Sequence, residues 1–471
     1  MDMSELDALQ ISLNRALDAF REELKKETLA QLSTFSIEPH PLDAPEFLPS
    51  PRLYEARRLA LACVGQLKTL LQPPYEKVVE QTLAPYDAAC LDIVLRTGVI
   101  DKLSEDAYRT TGLHVQQLHQ FLDLDPFKLT AILRCLAAEG WLHEKNEGVY
   151  ALNRPALELC LGRNGRKWAL TQGKGKIADS LLSAITRPDW KYSTSPLETA
   201  FQLSHHTSLS LFDYLKANPA ELQQWASSVR TYGDAAESAL LADFPWKSLN
   251  SQTIVDCGGG QGYLTISLAR ILENVTFVIQ DLPEVIPLTR ANVLRESPEA
   301  AQDERIIVET HDFRTPQVQR SGNTTYVFRL VLHDWTDQDC TAILKNIPAI
   351  HGTVIPQVKV VIIEYIAQPC TISYVAQDQC DESLKILTGA EKYATTLPPP
   401  YVPLNFGACA KMNLGLGVHL LGVYNARERS LLEWDNIIRN AGLQITSVCP
   451  LRAKLSVIEC DVVNCRKSVI E

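Results

Sequence analysis

The residues best placed by type to move a proton are one histidine and two glutamates. His333 follows the apolar, β-rich run YVFRLVL (326–332) and opens the segment His333-Asp334-Trp335-Thr336-Asp337. An imidazole has an unperturbed pKa of about 6.5 and is the usual general base near neutrality. Glu364 closes a second apolar run, KVVII (359–363), and Glu428 sits in Ala426-Arg427-Glu428-Arg429-Ser430. A carboxylate beside an imidazole fixes its tautomer and stabilises the imidazolium that forms. Each has a plainer reading: a hydrogen-bonded strand-end histidine, a glutamate paired with a local base, an exposed helix-start acid. A phenol, with a pKa of about 10, is a poor nucleophile until its proton is taken, and this trio is suited to taking it.

A second constellation is Val255-Asp256-Cys257-Gly258-Gly259-Gly260-Gln261-Gly262-Tyr263, between a predicted strand and a predicted helix. Glycines permit a tight turn and let a ligand approach bare amides at a helix start. A dinucleotide GxGxxG fails, because its last position falls on Tyr263, and no Gly-Lys-Ser/Thr follows for a phosphate loop. The next strand ends in Asp281-Leu282, where an acid grips a ribose diol. The third reaches Asp312-Phe313, an acceptor for an exocyclic amine beside a ring for stacking. Asp256, Gly258, Gly260, Asp281 and Asp312 thus describe an adenosine pocket without a pyrophosphate signature, which S-adenosylmethionine would fit. Methyl transfer from a sulfonium is a displacement: oxygen, carbon and sulfur must align and one proton must leave. No metal-ligand spacing is seen and no metal is expected; His205 and His206 are adjacent, so on a helix they face apart.

These residues need strand ends to hold them. β-Branched runs at 253–259, 276–281, 305–312, 326–334 and 359–366 alternate with helical stretches such as 263–272 and 284–296, which predicts βαβ units and a parallel α/β sheet. Runs 444–451 and 454–460 are linked too tightly for a crossover and must pair antiparallel. The carboxyl ends of such a sheet face the ligand crevice, placing His333 at the mouth of the glycine-loop pocket.

Upstream, Leu6, Leu9, Leu13, Leu17, Phe20 and Leu24 predict one amphipathic helix within 1–35. Five prolines in 36–51 break it, and a helix resumes at 54–71. Residues 84–153 have the order of a winged helix-turn-helix: helices at 86–96, 115–122 and 126–139, then two short strands about Asn146-Glu147-Gly148. Ten acids against six bases there, a net of −4, oppose a phosphate-binding role, so the module reads as a dimerisation element. Residues 155–247 are helical, with Trp168, Phe201, Phe212, Tyr214, Trp225 and Tyr232 spaced as core or pocket lining. The division is 1–50, an N-terminal extension and linker; 51–247, a helical dimerisation and substrate-wall domain; and 248–471, the cofactor-binding catalytic domain.

With 471 residues, 46% apolar, the chain is long enough for two or three domains. A net charge of −11 argues against nucleic acid or an anionic membrane as partner. Twelve cysteines without a CxxC pair read as reduced core residues of a cytoplasmic protein, and no secretory signal or membrane-length apolar segment is present.

Together VDCGGGQG, QDLPEVI, HDFR, LHDWTDQDC, VVIIEYI and MNLGLGVHLLGVYNARERS resemble the S-adenosylmethionine-dependent O-methyltransferases of the plant caffeic acid type, and more closely the fungal polyketide and phenol O-methyltransferases. The resemblance spans about 84–463. It implies a Rossmann-like methyltransferase sheet with an N-terminal winged-helix dimerisation domain. His333 would be the base, flanked by Glu364 and Glu428, and Gly258, Asp281, Leu282, Asp312, Phe313, Arg329 and Trp335 would hold the cofactor. It also implies an interlocked homodimer. Phe201, His206, Phe212, Met412, Asn413 and His419 would line a pocket for a flat aromatic phenol or polyketide of secondary metabolism. Cys257 and Gln261 depart from the usual loop residues, and the first 50 residues lack a counterpart. The long segment 367–410 is expected to cover part of the substrate entrance. The rival reading is a pericyclase or cyclase on the same fold that binds the cofactor without methyl transfer.

Overall fold

The computed structural model describes residues 4–172, 175–348, 357–372, 378–388, 390 and 392–462. Strands β4 (Thr253–Cys257), β5 (Thr276–Asp281), β6 (Ile306–Thr310), β7 (Thr324–Arg329), β8 (Val358–Glu364), β9 (Leu443–Pro450) and β10 (Ser456–Val462) form one sheet in the order β6-β5-β4-β7-β8-β10-β9. β4 to β8 run parallel, β10 returns antiparallel along β8, and β9 pairs antiparallel with β10. Strand order reverses beside β4, so the crevice opens at the carboxyl ends of β4 and β7.

Alternation along each strand fills both faces. Ile254, Phe277, Val361 and Val457 meet Leu240, Leu264 and Trp246 on one side. Val255, Val278, Tyr326, Phe328 and Ile362 meet Ile343, Trp434 and Ile437 on the other. Residue pairs such as 254/255 and 277/278 therefore point to opposite cores, as a strand buried on both faces requires.

The smaller sheet, β1 (Leu113–His114), β2 (His143–Asn146) and β3 (Val149–Ala151), has the order β1-β3-β2 and packs with helices Val115–Leu122 and Pro126–Ala138. Asp125 accepts from the Lys128 amide at 2.9 Å and Pro126 takes the first helical position, so this start was readable. The helix expected at 86–96 is instead α3, Pro74–Arg96, which runs through Pro85. Pro74 at its first turn makes a favourable start, and a single interior proline removes one ladder bond without ending the helix.

α1 (Glu5–Lys26) is shorter than the 1–35 expectation and packs on α2 (Pro51–Leu71). Leu9, Ala16, Ala56 and Leu59 share a core with Leu384, Val402 and Phe406. Buried Glu55 of α2 accepts from Tyr393 Oη and from Thr396 Oγ1 at 2.5 Å, and pairs with Arg58 at 2.6 Å. Thus 392–406 is pinned to α1 and α2. The expectation of a cover over the entrance falls in part on 373–377, outside the described residues. Among the described residues no helix is long and apolar enough to cross a membrane. Cys90, Cys135, Cys160, Cys257, Cys340, Cys370, Cys409, Cys449 and Cys460 are free thiols.

Candidate active site

Gly258, Gly260 and Gly262 all have positive φ, +70°, +56° and +79°, which turns the chain back from β4 into the helix Tyr263–Ile271. A Cβ on Gly262 would lie 2.5 Å from Ile279 Cδ1, so the loop presses on β5. The Gly258 and Gly259 amides donate to Gln280 O at 2.9 and 3.1 Å. Asp281 Oδ2 accepts from the Gly260 amide and Oδ1 from the Leu282 amide, both at 2.8 Å. Burial pushes its carboxyl above the usual range.

Asp256 lies beneath the loop. Its Oδ2 accepts from Thr265 Oγ1 at 2.8 Å, and burial pushes the carboxyl up to about 6. That placement supports the turn from below. Gly258 faces Val331 and Phe313, whose atoms stand 3.1 and 3.2 Å from where its Cβ would be. Phe313 meets Trp335 edge to face at 5.8 Å, and the Arg314 guanidinium lies 5.5 Å from the Trp335 ring. Asp312 pairs with Arg314 at 2.7 Å, which holds its carboxyl below its ordinary value. Arg329 is turned toward the helix Pro219–Asp243, donating to Gly233 O at 2.5 Å.

These residues fit an adenosyl ligand. The acid at the end of β5, the aromatic pair after β6 and β7, and the glycine turn converge. No atom lies within 4 Å of a Cβ built on Gly260, so that side of the loop is open.

His333 stands on a turn, Leu332–Asp334, directly after β7. The strand leaves through Leu330 at φ +53°, a left-handed conformation uncommon for a side chain with a Cβ. Glu364, at the end of neighbouring β8, accepts on Oε1 from the amides of Val331, Leu332 and His333 at 3.1, 3.0 and 3.3 Å. Its Oε2 lies 3.4 Å from His333 Nδ1, and Glu428 Oε1 lies 3.3 Å from the same nitrogen. Asp334 Oδ1 is 3.6 Å from Nε2. Burial alone would lower the imidazole pKa, but Glu364, Asp334 and Glu428 outweigh it and push it up to about 10. Burial pushes Glu364 up to about 7 and Asp334 up to about 6, with His333 opposing both.

The fold thus gathers into one buried cluster three groups that are 31 and 95 residues apart in sequence. Their ligand atoms lie within 4.8 Å of one another, close enough to hold a cation, an arrangement the spacing did not reveal. As built, Glu364 Oε1 is committed to backbone amides and Nδ1 faces both carboxylates, which is a way of orienting an imidazole.

The helix Lys411–Tyr424 forms a wall of the site. Gly417 packs against Glu428, with a Cβ there 3.3 Å from Glu428 Cγ, and one turn earlier buried Asn413 donates to Tyr232 Oη at 2.8 Å. Burial lowers the pKa of His419. Met412, 51% exposed, lies on another face of that helix, with its Sδ 3.6 Å from Lys454 Nζ. Phe201 is a core residue stacked on His205 at 4.3 Å and packed with Leu211, Leu420 and Val423. His206 ends the helix Ala200–His205 with φ +50°. Phe212, partly exposed, stacks on Tyr424 at 5.7 Å. Asp334, Tyr424 and Arg429 were not singled out from sequence. Asp334 and Arg429 are the charged neighbours of chosen residues, which was their only signal.

The O-methyltransferase domain family matches residues 192–395. The O-methyltransferase tpcA of Aspergillus fumigatus is 26% identical over 448 residues, covering 88% of each chain. The O-methyltransferase pgmB of Aspergillus terreus is 30% identical over 291 residues, 60% of this chain and 71% of that one. The chain belongs to the O-methyltransferase family. In fold, this O-methyltransferase is similar to LepI solved in complex with SAM, with a TM-score of 0.65 at 19% identity over 87% of this chain and 94% of the other.

Proposed function

We propose that this O-methyltransferase moves a methyl group from S-adenosylmethionine to a hydroxyl of an aromatic small molecule, with His333 receiving the hydroxyl proton. The observation that carries the reading is the imidazole set between two buried carboxylates on its Nδ1 side, at the carboxyl edge of the sheet beside the glycine loop. The bound cofactor would supply an electrophilic methyl on a sulfonium. Asp281 would take the ribose hydroxyls, and Phe313 with Trp335 would wall the adenine.

The chain's own part is proton placement. His333 Nδ1 faces Glu364 and Glu428, so Nε2, with Asp334 Oδ1 at 3.6 Å, is the nitrogen that would meet the acceptor hydroxyl. Because the imidazole is held near the pKa of a phenol, it first gives its own Nε2 proton to solvent; the neutral ring then takes the hydroxyl proton on Nε2 at little cost, giving phenolate beside imidazolium. After methyl transfer the imidazolium returns that proton to solvent. Partly exposed Phe212 with Tyr424, and Tyr232 with Asn413, supply flat apolar walls with a few polar points, which favours an aromatic acceptor.

A homodimer is part of the same reading. α3 leaves Tyr75, Val78, Leu83 and Tyr86 exposed on one long helix, a face that a second copy would cover. Free thiols suit a reducing, cytoplasmic setting. Incubating the protein with S-adenosylmethionine and a panel of phenols and hydroxylated polyketides should yield S-adenosylhomocysteine and a product heavier by one methylene. A rearranged product formed without S-adenosylhomocysteine would favour the pericyclase instead.

A further inference from the structure

Arg429 directly follows Glu428 and is 1% exposed. A buried guanidinium needs partners for its fixed fork of donors. Nη1 donates to Leu332 O at 3.1 Å, Nη2 to Trp335 O at 2.5 Å and Nε to Asp337 Oδ1 at 2.8 Å. Its Cζ lies 5.1 Å from the Trp434 ring. The two carbonyls bracket His333 and Asp334, so the cation spans the turn that carries the imidazole. On the amide side the same turn is held by Glu364 Oε1, through Val331, Leu332 and His333.

The turn therefore sits between an anion on its amides and a cation on its carbonyls. It needs such support, because it leaves β7 through Leu330 in the left-handed region, where local backbone preference does not favour it. Arg429 also sets register: its main chain bridges to Ile366, and its carbonyl accepts from the Ala367 amide at 2.8 Å. That pairing lays Glu428 beside the end of β8, where Glu364 stands.

We propose that Arg429 is a positioning residue, whose guanidinium, acting with Glu364, fixes where His333 stands between its carboxylates and how far it stands from Trp335. The proposal rests on the reading of His333 as proton acceptor. Lysine cannot replace it fully, since one ammonium cannot reach two carbonyls and a carboxylate in a planar fork.

The test follows the imidazole directly, in the full chain labelled with 13C at histidine Cε1, the His333 resonance being identified by its loss in His333→Gln. In the parent protein the resonance should titrate far above the ordinary histidine range. In Arg429→Ala the midpoint should fall by at least about one pH unit toward 6.5, as the ring leaves its carboxylates, with a smaller fall in Arg429→Lys. A displacement of about 1 Å costs about 100-fold in kcat, and that loss is expected with the phenol that turns over best, with Lys recovering part of it. A variant that is merely less stable would keep the parent midpoint while folded, so an unchanged midpoint with unchanged kcat overturns the proposal. If the alanine variant does not fold, the lysine variant decides by the same two readings. Full activity in His333→Gln would overturn the proton-acceptor reading, whereas the midpoint in the Arg429 variants still decides what Arg429 does.

Discussion

Replacing Glu428 by glutamine keeps the shape of the side chain and removes one of the three charges that raise His333. At 3.3 Å, an ionised carboxylate and an imidazolium attract by about 5 kcal/mol at an effective dielectric of about 20. Part of that is returned, because Glu364, relieved of a like charge, ionises more fully. A net fall of about two pH units follows, from about 10 to about 8. The consequence for rate comes from the proton shared with the acceptor. Once one proton has left for solvent, the other lies about evenly between imidazole and phenol when both titrate near 10; with the imidazole at about 8 the reactive phenolate–imidazolium form drops to about one part in a hundred, a fall in kcat of about 50-fold. The sign with pH is fixed: a raised imidazole holds its proton below about 10 and loses it above. Below about pH 8 the ring already carries a proton in both proteins and the two rates should be about equal; the deficit of Glu428→Gln should open above about pH 8, where only the variant has lost that proton, and reach about 50-fold near pH 10. A pH–rate series for both proteins, with S-adenosylhomocysteine measured as product, reads this out. Equal kcat values at pH 9 to 10 would refute the charge argument, and a deficit independent of pH would assign Glu428 a purely steric part.

Other expectations are equally direct. His333→Ala should lower kcat by about 100- to 10,000-fold, the usual worth of a general base, while the calorimetric affinity for S-adenosylhomocysteine stays as it was; full turnover would remove the assignment. Asp281→Ala should weaken S-adenosylhomocysteine binding at least about tenfold, through lost hydrogen bonds to a charged group and through release of the Gly260 amide, and an unchanged dissociation constant would contradict the ribose role. Glu55→Ala leaves half-buried Arg58 without its carboxylate and removes the acceptor of Tyr393 and Thr396, so denaturant unfolding should show a loss of about 3 kcal/mol or more; a loss below about 1 kcal/mol would mean that 392–406 is held by its apolar contacts alone.

Much of the sheet was legible because strands buried on both faces are written as β-branched runs, and all seven strands of the large sheet fall on predicted runs within a few residues. The glycine loop was legible because three left-handed positions in five residues leave few alternatives to glycine. α3 was misjudged because a proline ordinarily ends a helix, yet Pro85 does not end this one. Phe201 and Met412 show the limit of composition. An aromatic ring or a thioether at helical spacing says that a side chain is apolar, not which face of its helix meets the site, and these two face a core and Lys454.

The arrangement around His333 was less legible still, for a reason that concerns what sequence motifs record. The motif LHDW names the imidazole proposed to take the reacting proton and the glutamates name its Nδ1 neighbours, but the turn that carries the ring is held through backbone atoms: three amides facing one carboxylate oxygen and two carbonyls facing one guanidinium. A backbone amide or carbonyl has no letter of its own, so neither half of that clamp leaves a pattern in the turn itself. What remains visible is the charge at the far end, Glu364 or Arg429, and a charge at a strand end has several plain explanations. Glu364 was picked out for its closeness to the base, although one of its oxygens serves the turn and only the other faces the ring. The two functions are separable in principle. Glutamine at 364 retains a carbonyl oxygen for the three amides while losing the charge that raises the imidazole, so if His333 is the proposed proton acceptor, Glu364→Gln should shift the pH dependence of turnover while leaving the turn in place.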